Sequence, residues 1–198
     1  MIESHGVRAR ALVLALLTCL ACGHADRAQA AATHERTCSN GTSLMLSDSG
    51  IGALRLGASV DAIREQCVVF RDTVELSAVG MKQRVLHTQL GPAMMYVEIV
   101  NSRVSRISTT SPVLLTEDGL GAGSSLESLL QTPNIVGTLV NNSVVVRMPN
   151  HCGLSFQLDS NATRSVKLSS TVYERALRKL PLSTKVERVH IVGCTMKH

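Results

Sequence analysis

The stretch GIGALRLGASVDAIREQ, Gly50–Gln66, decides the fold because a shortened copy, GLGAGSSLESLLQ, returns at Gly119–Gln131. With a three-residue gap after the first glycines, Ser59 aligns with Ser125, 66 residues further along the chain. Self-similarity of this kind is typical of a repeated structural unit. The sequence therefore predicts two related units in tandem.

Each copy has the chemistry of a helix start. Ser59 and Ser125 are suited to cap a helix, while Asp61 and Glu127 place a negative charge in the first turn. A start one residue earlier in the second copy stays open, because Ser124 and Glu127 have the spacing of a capping box. Apolar residues follow at helical spacing: Val60, Ile63 and Cys67 in the first copy, and Leu126, Leu129 and Leu130 in the second.

A phosphate-binding loop is the other interpretation of these glycines. It requires either a lysine after the glycines or a complete Gly-x-Gly-x-x-Gly pattern. Residue 124 is serine where the third glycine is needed, and no lysine occurs between Lys82 and Lys167. The glycines therefore indicate turns before helices.

Short alternating runs with turn residues such as Asn101 follow each copy and predict antiparallel strands. The resulting prediction is an α+β fold of two tandem units, residues 49–111 and 115–198. Each unit is a short helix packed on an antiparallel sheet. The second unit also contains a C-terminal helix, Val172–Leu180, and a last strand, Val186–Val192.

The N-terminus predicts export. Basic residues precede the apolar run ALVLALLTCLA at residues 11–21, which is typical of a secretory signal peptide. The small residues AQA favour a signal peptide of residues 1–30, followed by an N-terminal segment of residues 31–48. No later run is long and apolar enough to predict a transmembrane segment.

Lipidation is an alternative for the same region. Leu20, Ala21 and Cys22 resemble a bacterial lipobox, although Cys19 replaces the usual aliphatic residue. In that case the signal is residues 1–21 and Cys22 carries the lipid. The protein is expected to be periplasmic or secreted, or anchored to a membrane as a lipoprotein.

Four cysteines remain beyond the signal, and an even number in an exported chain predicts disulfides. Tandem units favour one bridge in each half, which means Cys38 with Cys67 and Cys152 with Cys194. Pairing Cys38 with Cys152 or with Cys194 would instead join the halves. None of the four belongs to a C-x-x-C pair, so no zinc site is predicted.

Charge and composition argue against nucleic acid as a partner. The chain has 20 Lys and Arg against 15 Asp and Glu, but only two Tyr, two Phe and no Trp. Nucleic-acid binding usually combines clustered bases with aromatic platforms. Neither a cofactor nor a metal is predicted, because His87, His151 and His190 are far apart in the sequence and form no metal-binding motif.

A small exported hydrolase is the alternative function, with a site near His151, Cys152 and Ser155. Adjacent residues of a strand point to opposite faces, so His151 and Cys152 are not expected to share a proton. Ser155 also lacks the Gly-x-Ser-x-Gly setting of a nucleophile. The remaining acidic candidates stand alone in their segments: Asp72, Glu75, Glu98 and Asp159. No catalytic residue is predicted.

The segments Gly57-Ala58-Ser59 and Gly123-Ser124-Ser125, followed by Ile63 and by Leu129 with LLQTP, resemble a known helix start. It occurs in outer-membrane assembly lipoproteins of the SmpA/OmlA type and in the β-lactamase inhibitor protein. The resemblance implies helices against a curved antiparallel sheet whose concave face binds a protein. The expected function is that of an exported, non-catalytic envelope protein that binds a protein partner through its sheet.

Overall fold

The computed structural model describes Cys38 and residues 44–76, 80–164 and 170–194 of the chain. All of these residues belong to one compact unit, Arg36–His198. The expected signal peptide and Cys22 lie outside the described residues.

The described residues form short helices and mostly extended strands. In chain order these are β1 (Gly50–Ile51), β2 (Leu54–Arg55), α1 (Val60–Gln66), β3 (Val69–Leu76), β4 (Lys82–Leu90), β5 (Ala93–Val100), β6 (Arg103–Thr109), α2 (Leu126–Leu129), β7 (Val136–Val140), β8 (Ser143–Met148), β9 (His151–Leu158), α3 (Ser160–Thr163), β10 (Thr171–Tyr173), α4 (Glu174–Leu177) and β11 (Val186–Ile191). Within the described ranges, no helix has the length and apolar character needed to cross a membrane.

Nine of these strands form one antiparallel sheet in the order β10-β7-β8-β9-β11-β6-β5-β4-β3. Strands β3 to β6 of the first half occupy one side, and the strands of the second half occupy the other. The last strand, β11, pairs with β6 and joins the halves. The predicted α+β class and the antiparallel pairing of the strands are confirmed, and the strands of both halves belong to one large sheet.

The two glycine-serine segments make matching backbone hydrogen bonds. In each half, the segment before the helix binds the beginning of the last strand of that half, β6 or β11. The first half has Gly57 N–Val104 O (2.8 Å), Val104 N–Ala58 O (2.9 Å) and Val60 N–Ser102 O (3.2 Å); the second has Gly123 N–Val186 O (2.8 Å), Val186 N–Ser124 O (2.8 Å) and Leu126 N–Thr184 O (2.7 Å). Gly57 and Gly123 both have positive φ, at 79° and 87°, which glycine adopts without steric cost.

Both predicted caps are present. Ser59 Oγ accepts a hydrogen bond from the Ala62 backbone N–H at 3.2 Å, and Ser125 Oγ accepts one from Ser128 at 3.2 Å. Each serine thereby satisfies a backbone donor that the first turn of a helix leaves without an internal acceptor.

The hydrophobic core covers one face of the sheet. Leu154, Phe156 and Val189 on that face are completely buried. The inward residues of α1, α2 and α4 belong to the same core cluster, which includes Ile63 and Leu126. Helices α1, α2 and α4 therefore pack on one face of the sheet. They do not cover the opposite face.

One disulfide closes a loop within each half, in the expected pairing. Cys38 bonds to Cys67, the residue after α1, with Cα atoms 4.4 Å apart. Cys152 of β9 bonds to Cys194, beyond the end of β11, with Cα atoms 4.9 Å apart.

The C-terminal helix differs from its predicted extent of Val172–Leu180. Val172 belongs to edge strand β10, and the helix is limited to α4. Val172 is fully buried opposite Gly137, where a Cβ atom would lie only 3.2 Å from the Val172 Cβ. This close packing favours an extended backbone at Val172, a β-branched residue, over the predicted helical one.

Candidate functional site

The face of the sheet opposite the helices carries the polar members of the alternating strands. On β5, Met95 and Val97 point into the core, while Tyr96 and Glu98 alternate with them on the opposite face. Strand β11 alternates in the same way, with His190 between the core residues Val189 and Ile191. Period-two alternation thus separates an apolar face from a polar one.

A cavity of about 300 Å³ lies on this polar face. Its lining comes from eight of the nine strands or their ends: Glu75, Leu76, Gln83, Val85, Glu98, Arg106, Val140, Val145, Arg147, Ser155, Gln157, Arg188, His190 and Val192. In a flat sheet β3 and β8 would be about 29 Å apart, at about 4.8 Å per strand. The sheet therefore curves around the cavity, and we call this side the concave face.

Register shifts contribute to the curvature. They occur between Val69 and Arg71, Glu98 and Ile99, Val146 and Met148, and Val186 and Arg188. An extra residue on one strand bends that strand and increases its local twist. The shifts are spread over the pairings of both halves, so the curvature does not depend on one of them alone.

His190 lies at the centre of the concave face. Its Nδ1 is 2.7 Å from Ser108 Oγ, and its Nε2 is 3.2 Å from Gln157 Oε1. With this amide orientation, Oε1 can only accept, so Nε2 carries the proton and the Ser108 hydroxyl donates to Nδ1. Burial, followed by the charges of Arg106 and Arg188, lowers the pKa of His190 to about 3. The imidazole is therefore neutral at physiological pH.

Charged residues surround His190 on the concave face. Arg106 Nη1 donates to Glu98 Oε1 at 3.2 Å, while Glu98 Oε2 is buried without a hydrogen-bond partner in the described ranges. The Arg188 guanidinium lies over the ring of Tyr96, 5.5 Å from its centroid. Its Nε is likewise buried without a described hydrogen-bond partner. Arg147 is exposed and lines the same cavity from β8.

His87 extends this polar row towards the β3 edge. Its Nε2 is 2.7 Å from Glu75 Oε1, and its ring meets Tyr96 edge-to-face at 5.1 Å. The row Ser155, His190, Ser108, Tyr96 and His87 follows directly from the register of β9, β11, β6, β5 and β4.

The residues of the hydrolase alternative have separate contacts. His151 Nε2 is 2.9 Å from Asp118 Oδ1, next to a different cavity lined also by Asp48 and Glu117. Cys152 is oxidised in its disulfide, and Ser155 is buried on the concave face opposite His190. The structure does not bring these three side chains into one site.

Asp118 organises the loop that precedes α2. Burial opposes its ionisation, but hydrogen bonds from Thr116 and His151 outweigh that effect and lower its pKa. Asn150 Nδ2 adds a weaker contact at 3.3 Å. The carboxylate therefore holds the 116–121 loop against the β8–β9 turn. These contacts give Asp118 a structural role.

The other acidic candidates also have structural contacts. Asp72 accepts from Arg84 and Arg64, at 2.7 Å and 2.6 Å from its Oδ2, and these hydrogen bonds lower its pKa. Asp159 caps α3 through the Asn161 backbone N–H at 2.9 Å. Of the four, Glu75 and Glu98 reach the concave cavity.

Only one cluster of metal-type ligands occurs among the described residues: Asp48, Cys152 and Cys194. Both sulfur atoms belong to the disulfide, so neither is a thiolate able to bind a metal. The carboxylate instead accepts from the Gly153 backbone N–H at 3.0 Å.

The residues of the concave site were not predicted from the sequence, although the alternation of two strands indicated some of them. Alternation in MMYVEIV and VERVHIV puts Tyr96 with Glu98, and Arg188 with His190, on common faces. Nothing local indicates that these two strands lie two positions apart in one sheet. The sequence gives even less indication of Arg147 and Gln157, because the pairing of each of their strands contains a register shift.

The chain matches no protein-family model and no curated protein sequence. Among solved structures, it is similar to the uncharacterized protein yfeY from Escherichia coli, with a TM-score of 0.51 and 16% sequence identity. The similarity covers 75% of this chain and 99% of that one. At this level of identity, the similarity is evidence of a shared fold alone.

Proposed function

We propose that this is an exported, non-catalytic envelope protein that binds a protein partner on the concave face of its sheet. The observation that carries the proposal is the difference between the two faces. One face is covered by the core and the helices, while the other surrounds a cavity lined by charged, polar and valine side chains. Open concave surfaces with a mixture of apolar and charged groups are typical binding sites.

The chemistry around His190 supports binding rather than catalysis. A general base works best when its pKa is near the operating pH. The pKa of His190 is about 3, and its Nδ1 is occupied by Ser108, which is 2% exposed. The Ser108 hydroxyl is therefore not accessible to a substrate unless the neighbouring side chains move.

The two disulfides support export, because such bonds persist mainly in oxidising compartments. Together with the signal-type N-terminus, they favour a periplasmic or secreted location. Lipidation at Cys22 remains the alternative that would anchor the protein at a membrane.

We further infer that the sheet arose from two tandem helix-on-sheet units. The support is the duplicated set of hydrogen bonds at Gly57 and Gly123, with serine caps two residues later. Apart from edge strand β10, the strands of each half also follow one another in decreasing order outward from the β6–β11 junction. The SmpA/OmlA-type and β-lactamase-inhibitor resemblance stays part of this proposal.

Site-specific photo-crosslinking tests the proposed function. A photoreactive amino acid is introduced singly at Gln83 or Val145 on the concave face, and at Leu182 as a control. Leu182 is 44% exposed and lies beside α2, where its carbonyl accepts from Glu127 N at 3.0 Å.

After irradiation of cells that make the protein, we expect the same protein adduct from both concave positions and none from Leu182. Equal adducts from Leu182, or no adduct from either concave position, would show that the partner does not bind on this face.

A further inference from the structure

We propose that the concave cavity binds a carboxylate group of an acidic peptide segment, with Arg147 and Arg188 as the cations that hold it. This inference rests on the proposed function, because it assigns the chemistry of the partner group at the same face. It follows from the charges, the positions of the two arginines and the apolar rim.

The cavity has a surplus of positive charge. Of its three arginines, Arg106 has an ion pair with Glu98. The second carboxylate that lines the cavity, Glu75, has a hydrogen-bond contact with His87. The side chains of Arg147 and Arg188 make no hydrogen bond or ion pair within the part of the chain that the structure describes. With His190 neutral, both guanidinium groups lack a counter-ion that the described chain supplies.

Arg188 is positioned in advance. Tyr96 lies under its guanidinium at 5.5 Å, a distance at which a cation and an aromatic face attract each other. This contact limits the rotamers of a long side chain, so less conformational entropy is lost when a ligand binds. The planar fork then remains available for two parallel hydrogen bonds to a carboxylate.

Arg147 completes the arrangement from the other side. It belongs to β8, which is separated from β11 by β9 alone, so the two backbones are about 10 Å apart across the sheet. Both arginines line the same cavity. Two arginine side chains at this separation are long enough to approach one carboxylate from opposite sides.

The rest of the lining selects among anions. Val85, Val140, Val145 and Val192 provide apolar surface for the side chains next to an acidic residue. Glu75 and Glu98 repel a doubly charged phosphate more strongly than a single carboxylate. A volume of about 300 Å³ is at the lower end for ligand cavities, which suits one or two side chains of a peptide. Because the cavity lies in a concave face, a flat bilayer is a poorer match.

The test uses the full exported chain with both disulfides formed, labelled with ¹⁵N. The probes are acetyl-Val-Glu-Val-amide and its neutral partner, acetyl-Val-Gln-Val-amide, followed in NMR titrations. We expect saturable shifts at Arg147, Gln157, Arg188 and His190 with the glutamate peptide, and affinity at least tenfold lower with the glutamine peptide.

Variants assign the effect to the two arginines. Arg147→Gln or Arg188→Gln should lower the affinity for the glutamate peptide by about tenfold, because each removes a hydrogen bond to a charged group. Arg188→Lys should fall between these variants and the unaltered protein, because it keeps the charge and loses the fork. Arg175→Gln is the matched control, since Arg175 is an exposed cation on α4 away from the cavity lining, and should change affinity by less than twofold.

Several outcomes would overturn the inference. Equal affinity for both peptides, or for the arginine variants and the unaltered protein, would mean that the carboxylate is not recognised. Tighter binding of inorganic phosphate, or binding to phosphatidylglycerol vesicles that requires Arg147 and Arg188, would assign a different anion. If photo-crosslinks from Val145 persist in those cases, the proposed function stands and only the ligand chemistry is wrong. Loss of the crosslinks would contradict the proposed function itself.

Discussion

Ser108 of β6 and His190 of β11 are 82 residues apart in the chain, yet Ser108 Oγ and His190 Nδ1 are separated by 2.7 Å. The pair lies where the two halves of the sheet meet, and the two residues are directly opposite each other in the β6–β11 pairing. The hydroxyl donates to an imidazole that burial and two arginines keep neutral. This hydrogen bond therefore joins the halves from the concave side, beneath the proposed binding cavity.

The stability of the protein should fall in mildly acidic solution because of His190. Its pKa decreases from the ordinary 6.5 to about 3 on folding. Between these values the unfolded chain binds a proton that the folded protein excludes, so the free energy of unfolding decreases as pH falls. The expected loss is roughly 1.4 kcal/mol for each pH unit below 6.5. Urea unfolding at pH 7.5, 6 and 5 measures it.

His190→Gln is the control for this pH dependence. The variant cannot bind the proton, whereas His87, His151 and the carboxylates are the same in both proteins. The difference in the free energy of unfolding between the unaltered protein and His190→Gln should therefore change as the pH is lowered from 6.5 to 5. A constant difference across that range would show that His190 does not titrate as described.

Removal of the Ser108 hydroxyl should affect stability and leave partner binding intact. Ser108→Ala leaves His190 Nδ1 without its buried donor, which costs about 1–3 kcal/mol of unfolding free energy. The photo-crosslink from Val145 should persist in the folded variant, because Ser108 is only 2% exposed. Abolished crosslinking in a folded variant would reopen a functional role for this hydroxyl.

The serine caps should contribute similarly in the two halves. Ser59→Ala and Ser125→Ala each remove one acceptor at 3.2 Å from a helical N–H. Each substitution should lower the free energy of unfolding by about 1 kcal/mol. Ser105→Ala is a suitable comparison, since its hydroxyl is exposed on β6 and donates to the Glu98 carbonyl at 3.1 Å. If Ser59→Ala or Ser125→Ala lowered the free energy of unfolding no more than Ser105→Ala does, the two serines would not have matching capping roles.

Each disulfide should stabilise the protein separately. The bridges connect cysteines 29 and 42 positions apart. In the chain-entropy model, loops of this size contribute about 3–4 kcal/mol each. Urea unfolding of Cys38→Ala/Cys67→Ala and of Cys152→Ala/Cys194→Ala measures the two contributions.

Peptide mapping without reduction checks the same pairing directly. It should recover Cys38 joined to Cys67 and Cys152 joined to Cys194. A fragment containing Cys67 together with Cys152 or Cys194 would contradict the structure.

The repeated glycine-serine segments, their helix caps and the disulfide pairs could be predicted from the sequence. Each depends on chemistry within a few residues, or on four cysteines distributed evenly between two halves. A serine before an apolar, acidic first turn caps a helix wherever that helix finally packs. Alternating residues likewise divide a strand into two faces without reference to its neighbours.

The concave site depends on the order and curvature of the strands, which only the tertiary structure decided. His190 meets Ser108 because β11 returns from the C-terminus to pair with β6, and Arg188 lies over Tyr96 because the same pairing places β5 beyond β6. Val172 became a strand residue because the surface beside Gly137 buries it completely. Strand neighbours are selected by the free energy of the whole core and by the cost of closing each loop. Both are sums over distant residues, so no local pattern contains them.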